Sequence, residues 1–144
     1  MENSNKIKIS FLSLSENECF ARSVIAILAL QLNPSVAQIS DIKTAVSEAV
    51  TNCIVHGYPD SIGEITMEAE LRDGKIHINI CDYGVGIENL EEALEPFYTT
   101  KPDEERSGMG FTIMKSFMED VKVESEKGKG TKVYMTKTIK SEAV

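Results

Sequence analysis

The segment between Ser35 and Gly57 most constrains what this chain can fold into. Its apolar residues recur at steps of three and four, which is the spacing of one buried helix face. They are Ile39, Ile42, Val46, Ala49, Val50 and Cys53. Gly57 is placed to end the helix, because glycine readily adopts the conformation that follows a last helical turn. We therefore predict one long amphipathic helix here.

Strand patterns occupy much of the remaining chain. Apolar and polar residues alternate over residues 6–12, 65–71, 76–80 and 121–135, as in strands with one buried face. Lys127 to Gly130 supplies a turn within the last of these ranges. Asp73-Gly74 lies between the second and third ranges and is the two-residue signature of a tight hairpin turn. We therefore predict an antiparallel pair at the centre of the chain.

Three more helices are predicted around these strands. Ser15 and Glu18 form a capping-box pattern before a helix that runs to Leu32, and residues 111–118 have a helical pattern. A short acidic helix is predicted near residues 89–94.

The predicted order is neither a repeated βα unit nor all-β. It favours an α+β fold: a two-layer sandwich in which helices cover one face of a mixed, mostly antiparallel sheet. With 144 residues, the chain can bury one sizeable core, so we expect a single domain over residues 1–144.

Charge and cysteine usage narrow the function classes. The formal net charge is -8, which disfavours binding to DNA or RNA through counterion release. The three cysteines are far apart and lack metal-ligand spacing, as expected for a reducing compartment. The longest apolar stretch, Val24 to Leu30, is too short to cross a bilayer. We therefore expect a cytoplasmic protein with no direct contact to nucleic acid or membrane.

Glu48 and Asn52 lie four residues apart on the predicted long helix, so their side chains stack on one face. A carboxylate and an amide oxygen together suit Mg²⁺ and a proton acceptor. By itself this spacing is more typical of a solvated helix face, and that alternative stays open.

Two glycine-containing segments are further candidates. Asp82 ends a predicted strand and precedes Gly84 and Gly86, so a fixed carboxylate lies beside backbone that a flat ligand can approach. Such a carboxylate can accept a hydrogen bond from the adenine amino group. An ordinary turn is the alternative.

The second glycine-containing segment holds Gly108 and Gly110, immediately before a predicted helix whose free N–H groups favour phosphate. Lys101 and Arg106, just upstream, add positive charge. A flexible linker that ends in a helix cap is the alternative.

Together, four segments resemble the GHKL ATPases, the superfamily of gyrase, Hsp90, histidine kinase and MutL-type ATP-binding domains. The segments are SEAVTNCIVHGY, DYGVGI, EPFYTTK and SGMGF, in the order of that superfamily. The resemblance covers nearly the whole chain, and it is strongest to the small anti-sigma factors of the superfamily, which are also serine kinases.

The resemblance implies an ATP-binding (Bergerat) fold and specific residue roles. It implies that Asn52 ligates Mg²⁺, that Glu48 is the catalytic base, that Asp82 and Thr131 recognise adenine, and that Gly86 lets the purine lie close. For the phosphates it implies contacts from Gly108 and Gly110 and a lid that carries Lys101 and Arg106. Arg22 matches a residue that contacts a protein partner.

The resemblance also implies the partners. The cofactors would be ATP or ADP with Mg²⁺, and the ATP-bound homodimer would hold an RNA polymerase sigma factor of the sporulation type inactive. It would phosphorylate a serine of an anti-anti-sigma protein. Two alternatives remain: an ATP-regulated binding module without kinase activity, and a catalytic domain of the histidine kinase type.

Overall fold

A computed structural model of the chain describes residues 4–88, 90, 94 and 110–140. Within these residues the chain forms five strands and three α-helices. In chain order they are β1 (Asn5–Leu12), α1 (Glu16–Ala29), α2 (Val36–Asn52), β2 (Glu64–Arg72), β3 (Lys75–Asp82), α3 (Gly110–Phe117), β4 (Asp120–Glu126) and β5 (Gly130–Thr138). A 3₁₀ turn, Leu30–Leu32, follows α1, and a π-helical turn, Cys53–Gly57, follows α2.

The strands form one sheet in the order β1-β2-β3-β5-β4. The predicted hairpin is confirmed: Arg72 pairs with Lys75, and Asp73 and Gly74 both have positive φ, 54° and 75°. Two positive φ values in a two-residue turn match the right-handed twist of the flanking strands. The sheet differs from the expected mixed one in that every pairing between the described strands is antiparallel.

The helices cover one face of this sheet. Alternate residues of β2 and β3 are buried, which is the period of a strand with one face against a core. The largest fully buried side chains come from both layers: Ile25, Ile42, Val46, Val50, Ile65, Met67, Leu71, Ile76, Ile78, Ile80, Met114 and Met135. The predicted α+β sandwich is therefore confirmed.

The capping prediction for α1 is wrong. Ser15 has helical backbone angles, and its side chain makes no capping hydrogen bond. Glu18 instead accepts a hydrogen bond from the Ser47 hydroxyl on α2 (2.8 Å), so its carboxylate is directed at the neighbouring helix. The capping box lies at the start of α2, where Ser35 and Gln38 each accept a hydrogen bond from the other's backbone N–H at 3.1 Å.

The predicted long helix is confirmed, and its last turn changes form. The five residues Cys53–Gly57 are π-helical, and Tyr58 N–H donates to the Cys53 carbonyl oxygen at 3.1 Å. π-helical turns in proteins are often found at functional sites. The short helix predicted near residues 89–94 lies mostly outside the described residues. In the part of the chain that the structure describes, no helix is long and apolar enough to cross a bilayer.

Candidate functional site

Asp82, the last residue of β3, is a buried carboxylate with defined donors. Its relative exposure is 5%. Gly84 N–H donates to Asp82 Oδ1 at 3.0 Å, and Thr131 of β5 lies opposite Asp82 in the sheet register. Two residues predicted to recognise the same ligand group, Asp82 and Thr131, are therefore neighbours.

Burial and hydrogen bonding act on Asp82 in opposite directions. Burial raises the pKa of its carboxyl group above the ordinary value, because the charged form loses solvation. Hydrogen bonds from Gly84 N–H, from the Cys53 thiol and from the Thr131 backbone partly lower that pKa again. On balance the pKa of Asp82 is raised, because the loss of hydration outweighs the hydrogen bonds.

Gly57 closes one side of this carboxylate. A Cβ atom at position 57 would lie 2.7 to 2.9 Å from the Asp82 carboxyl carbon and oxygens, so no side chain fits there. The Gly57 carbonyl oxygen accepts a hydrogen bond from Val85 N–H at 2.9 Å, and a Cβ at Gly84 would overlap the same oxygen. The π-helical turn and the loop after β3 are thus in backbone contact.

Gly86 lies against the turn between β4 and β5. Its φ is 73°, and a Cβ there would overlap the carbonyl oxygen of Glu126. Next to it, Ile87 N–H donates to Ser125 Oγ at 2.7 Å, and this hydroxyl is 2.7 Å from Thr131 Oγ1. The loop with Gly86, the hydroxyl of Thr131 and the end of β3 therefore belong to one site.

Asn52, at the end of α2, faces the start of α3. A Cβ added at Gly110 would lie 3.0 Å from Asn52 Nδ2 and 3.2 Å from Oδ1. The predicted metal ligand and one of the predicted phosphate-contacting glycines are therefore in direct proximity. Gly57, five residues further on, lies against the Asp82 carboxyl group, so the end of α2 and its π-helical turn connect both halves of the site.

Glu48 lies one helical turn before Asn52. The solvated helix face is wrong for Glu48, which has a relative exposure of only 5%. The neighbouring α2 residues Ala45 and Ala49 are buried too. A buried carboxylate is ordinarily paired or hydrogen-bonded, because burial without a partner costs free energy.

Glu48 also lines a groove formed by residues of α1 and α2. Its volume is about 450 Å³, and it is lined by Arg22, Val36, Ile39, Ser40, Lys43, Thr44, Ser47 and Glu48. Arg22 Nε pairs with Glu18 Oε2 at 3.2 Å. A hydrogen bond with the Cys19 side chain and the charge of Glu18 raise the pKa of Arg22 above its ordinary value. The predicted base and the predicted partner-contacting arginine thus line one groove.

Three of the predicted site residues lie outside the part of the chain that the structure describes. They are Lys101, Arg106 and Gly108, and the structure does not test their predicted roles. Sequence reasoning missed the position of Gly57 against Asp82. It assigned Gly57 only to helix termination, because periodicity carries no information on contacts between distant elements.

The residues present fit a Mg²⁺ ion whose ligands come mostly from water and phosphate. In the described part of the chain, no group of three or more His, Cys, Asp or Glu residues could hold a metal ion. Mg²⁺ sites with nucleotides need only one or two protein oxygens, because water and phosphate supply the others. The Asn52 carboxamide beside Gly110 meets that requirement, with Glu48 one turn away.

Sequence comparison assigns the family. The histidine kinase-like ATPase domain family matches residues 16–137, and the chain belongs to this family. At the level of particular proteins, the chain is 55% identical over 142 residues to the anti-sigma F factor of Thermoanaerobacter sp. (strain X514), covering 99% of each chain. It is 56% identical over 133 residues to the anti-sigma F factor of Clostridium acetobutylicum, covering 92% of this chain and 93% of that one.

Solved structures share the fold at much lower identity. The RsbU and RsbW domains of Rv1364c from Mycobacterium tuberculosis align with a TM-score of 0.67 and 18% identity, over 97% of this chain and 34% of that one. The catalytic domain of the histidine kinase ThkA aligns with a TM-score of 0.58 and 17% identity, over 92% of this chain and 96% of that one. These structures show the same fold, and the family match together with the anti-sigma F relatives confirms the GHKL resemblance predicted from the four motifs.

Proposed function

We propose that this chain is an ATP-dependent anti-sigma factor that also phosphorylates an antagonist protein on serine. The relatives at 55% and 56% identity carry the name anti-sigma F factor, which supports the first half. The second half rests on one observation above all, the buried Glu48 in the lining of an open groove. We further propose that residues 1–144 act as one domain in the cytoplasm.

The nucleotide base is assigned to the Asp82 end of the sheet. The Asp82 carboxylate accepts from the exocyclic amino group of adenine, and Thr131 contributes its hydroxyl beside it. Gly86 lets its loop lie against the turn between β4 and β5, where a side chain would overlap the Glu126 carbonyl oxygen, and we assign its backbone to the flat purine. ATP and ADP share this base, so both would bind here.

The phosphates are assigned to the Asn52 end of the site. Gly110 opens α3 beside the Asn52 carboxamide, and a helix N-terminus favours anions through its free N–H groups and its dipole. Gly108 extends this backbone cradle, and Lys101 and Arg106 supply positive charge from a lid. Mg²⁺, held through the Asn52 side chain, would neutralise phosphate charge when bound.

Phosphoryl transfer needs an acceptor hydroxyl in line with the terminal phosphate. The groove between α1 and α2 gives a partner's serine access to Glu48, which takes the hydroxyl proton. Arg22, on the rim of the same groove, contacts the partner protein. Most of the acceleration comes from positioning and charge neutralisation, because this reaction demands little covalent chemistry from the protein.

Exposed apolar side chains on the outer side of α1 support protein binding. Phe20 and Ile27, seven residues apart on one helix face, are 68% and 66% exposed, and Leu30 follows them at 59%. Exposed apolar residues that cluster in this way are typical of protein interfaces. We assign protein contacts to this part of the chain, including those of a homodimer, of a sigma factor and of an anti-anti-sigma protein.

Replacing Glu48 separates a kinase from an ATP-regulated binding module. With Glu48→Gln, we expect transfer of labelled phosphate to the antagonist protein to fall at least about 100-fold, because a general base contributes roughly that much. We expect ADP affinity to stay within about twofold, because the glutamine keeps the shape of the site. Glu124→Gln, on the exposed side of β4, is the matched control and should leave both unchanged. Unchanged transfer in Glu48→Gln would remove Glu48 from the mechanism.

A separate experiment tests the proposed anti-sigma function. The purified chain is immobilised with ATP or with ADP, and the proteins it retains from cell extract are identified by mass spectrometry. We expect an RNA polymerase sigma subunit in one nucleotide state only, because the nucleotide orders the lid and partner surface. Recovery of nucleic acid alone would overturn the proposal.

A further inference from the structure

Ser125 of β4 belongs to the same row of side chains as Asp82 and Thr131. Thr131 of β5 is the register partner of Asp82 on one side and of Ser125 on the other. Side chains at paired positions of neighbouring strands lie on the same face of a sheet. The helices cover this face, since the next pair on it, Val123 and Val133, packs in the core. Thr131 therefore lies between Asp82 and Ser125.

The Ser125 hydroxyl makes three hydrogen bonds. It accepts from Ile87 N–H at 2.7 Å, lies 3.1 Å from the Gly130 carbonyl oxygen, and is 2.7 Å from Thr131 Oγ1. A serine hydroxyl has one proton to donate and two lone pairs with which to accept. A carbonyl oxygen only accepts, so the Ser125 proton goes to Gly130. All three bonds form together only when the Thr131 hydroxyl donates its own proton to Ser125.

This arrangement decides what Thr131 can offer a ligand. Its one hydroxyl proton is directed at Ser125, so only its lone pairs remain for other partners. The ionised Asp82 carboxylate in the same row also offers only lone pairs. Two neighbouring acceptors favour a purine that carries an amino group there. They disfavour a purine with a carbonyl oxygen in that place, because acceptors that face each other without a proton lose their hydrogen bonds.

We propose that Ser125 is a positioning residue that sets base specificity: by taking the Thr131 proton, its hydroxyl makes Thr131 a second acceptor beside Asp82. The site then prefers an aminopurine to an oxopurine. This inference rests on the proposed binding of adenine at the Asp82 end of the sheet. Ser125 does not touch the base in this assignment, and it acts through Thr131.

Replacing Ser125 should change base preference as well as affinity. ADP carries an amino group where inosine diphosphate carries a carbonyl oxygen, and calorimetry measures both affinities. In Ser125→Ala the Thr131 hydroxyl can turn and donate to that oxygen. We therefore expect the preference for ADP to fall about fivefold, the equivalent of one ordinary hydrogen bond. Ser125→Thr keeps the hydroxyl, and its preference should stay within about twofold of the unaltered protein.

A double-mutant cycle tests whether Ser125 acts through Thr131. Thr131→Val removes the hydroxyl and should also lower the preference for ADP. Adding Ser125→Ala to Thr131→Val should then leave the preference unchanged, because no hydroxyl remains to be oriented. Ser10→Ala is the matched control. Ser10 is an exposed strand serine on β1, at the opposite edge of the sheet from β4, and its replacement should leave both affinities unchanged.

The outcomes distinguish the inference from the function on which it rests. Equal affinity of the unaltered protein for ADP and inosine diphosphate overturns the proposed recognition of the amino group, and the inference with it. A preference that Ser125→Ala leaves intact overturns the inference alone. Equal losses for both nucleotides in Ser125→Ala also overturn it, because they indicate that Ser125 only supports the loop through Ile87.

Thermal melting of each variant checks folding. If Ser125→Ala does not fold, Thr131→Val decides, and an unchanged preference for ADP in that variant overturns the inference. A further fall in preference when Ser125→Ala is added to Thr131→Val contradicts the action through Thr131.

Discussion

The two ends of strand β3 are built in contrasting ways. At the Lys75 end, the chain turns through Asp73 and Gly74, and a Cβ added at Gly74 would meet no atom within 4 Å. At the Asp82 end, Cβ atoms added at Gly84 or Gly130 would overlap backbone of another segment. The first end is an open hairpin, and the second is a place where backbones touch.

Glycine therefore has two different purposes in this sheet. Gly74 is needed for its positive φ, since the turn requires a left-handed conformation that residues with a Cβ rarely adopt. Gly84 and Gly130 are needed chiefly because they lack a side chain. Close backbone contact fixes the loops around Asp82, and fixed loops are what a preorganised binding site requires.

The turn between β4 and β5 offers the sharpest test of this contrast. Gly128 and Gly130 both have positive φ, 83° and 114°, but only Gly130 lies against Asp82, where a Cβ would overlap the Asp82 carbonyl oxygen. We expect Gly130→Ala to lower the free energy of unfolding by about 3 kcal/mol through steric overlap. Gly128→Ala has open space and should cost about 1 kcal/mol, the strain of a left-handed alanine.

Urea denaturation of the two variants measures this difference. Both carry the same chemical change two residues apart, so the denatured states are closely matched. Equal losses of stability would contradict the distinction between open and close-contact glycines.

A second prediction compares the acidic residues at the two ends of β3. Asp82→Asn keeps the shape of the side chain but leaves one acceptor atom, whereas Gly84 N–H and the proposed adenine amino group both need an acceptor there. The amide NH₂ group must then face one of these two donors. We expect ADP affinity to fall about 30-fold, which corresponds to a hydrogen bond with a charged group.

Asp73→Asn is the control for this change. Asp73 lies in the hairpin at the far end of β3 with a φ of 54°, a conformation that asparagine also accepts. Its ADP affinity, measured by calorimetry, should match the unaltered protein. A similar loss in both variants would mean that negative charge in general, and not the Asp82 site, governs binding.

The elements at the Lys75 end could be predicted from the sequence, because local rules decide them. Asp73-Gly74 between two alternating segments has few conformations open to it, and the hairpin formed as predicted. The helix over α2 was equally predictable from its period. The failure of the cap at Ser15 could not be predicted. The Glu18 carboxylate accepts a hydrogen bond from Ser47 on a neighbouring helix, and this is a contact between distant segments.

At the Asp82 end, sequence motifs identified residues but not their arrangement. The resemblance selected Asp82, Gly86 and Thr131, which the fold does bring together. The burial of Glu48 and the close approach of Gly57 to Asp82 depend on how α2 and its π-helical turn pack against other elements. Periodicity cannot distinguish a glycine that only ends a helix from one that also leaves space for a carboxylate.

The third prediction uses pH to separate the two ends of β3. At the Lys75 end, hydrogen bonds from Thr138 and from Lys75 hold the pKa of the exposed Glu119 below its ordinary value. The folded state then binds fewer protons at Glu119 than the unfolded state does, so this group stabilises the fold above the ordinary carboxyl pKa. That stability is lost as pH falls through the lowered pKa.

The contribution of Asp82 to the pH dependence of stability has the opposite sign. Its pKa is raised, chiefly by burial, so between the ordinary carboxyl pKa and the raised one the folded state binds more protons than the unfolded state. Stability therefore decreases as pH rises through this window, while ADP affinity increases, because only the ionised carboxylate accepts fully from the base. Cys53, Tyr58 and Cys81 are the titratable groups that interact with Asp82, and their own pKa values are all raised, so they stay neutral here.

Urea denaturation and ADP calorimetry from pH 4 to pH 7 in Asp82→Asn and in Glu119→Gln test these signs. Relative to the unaltered protein, Asp82→Asn should remove the decrease in stability with rising pH and flatten the acid limb of ADP binding. Glu119→Gln should remove only a small increase in stability, because that exposed ion pair is screened by solvent, and should leave ADP binding unchanged. An acid limb that persists in Asp82→Asn would assign the pH dependence of binding to the phosphate end of the site instead.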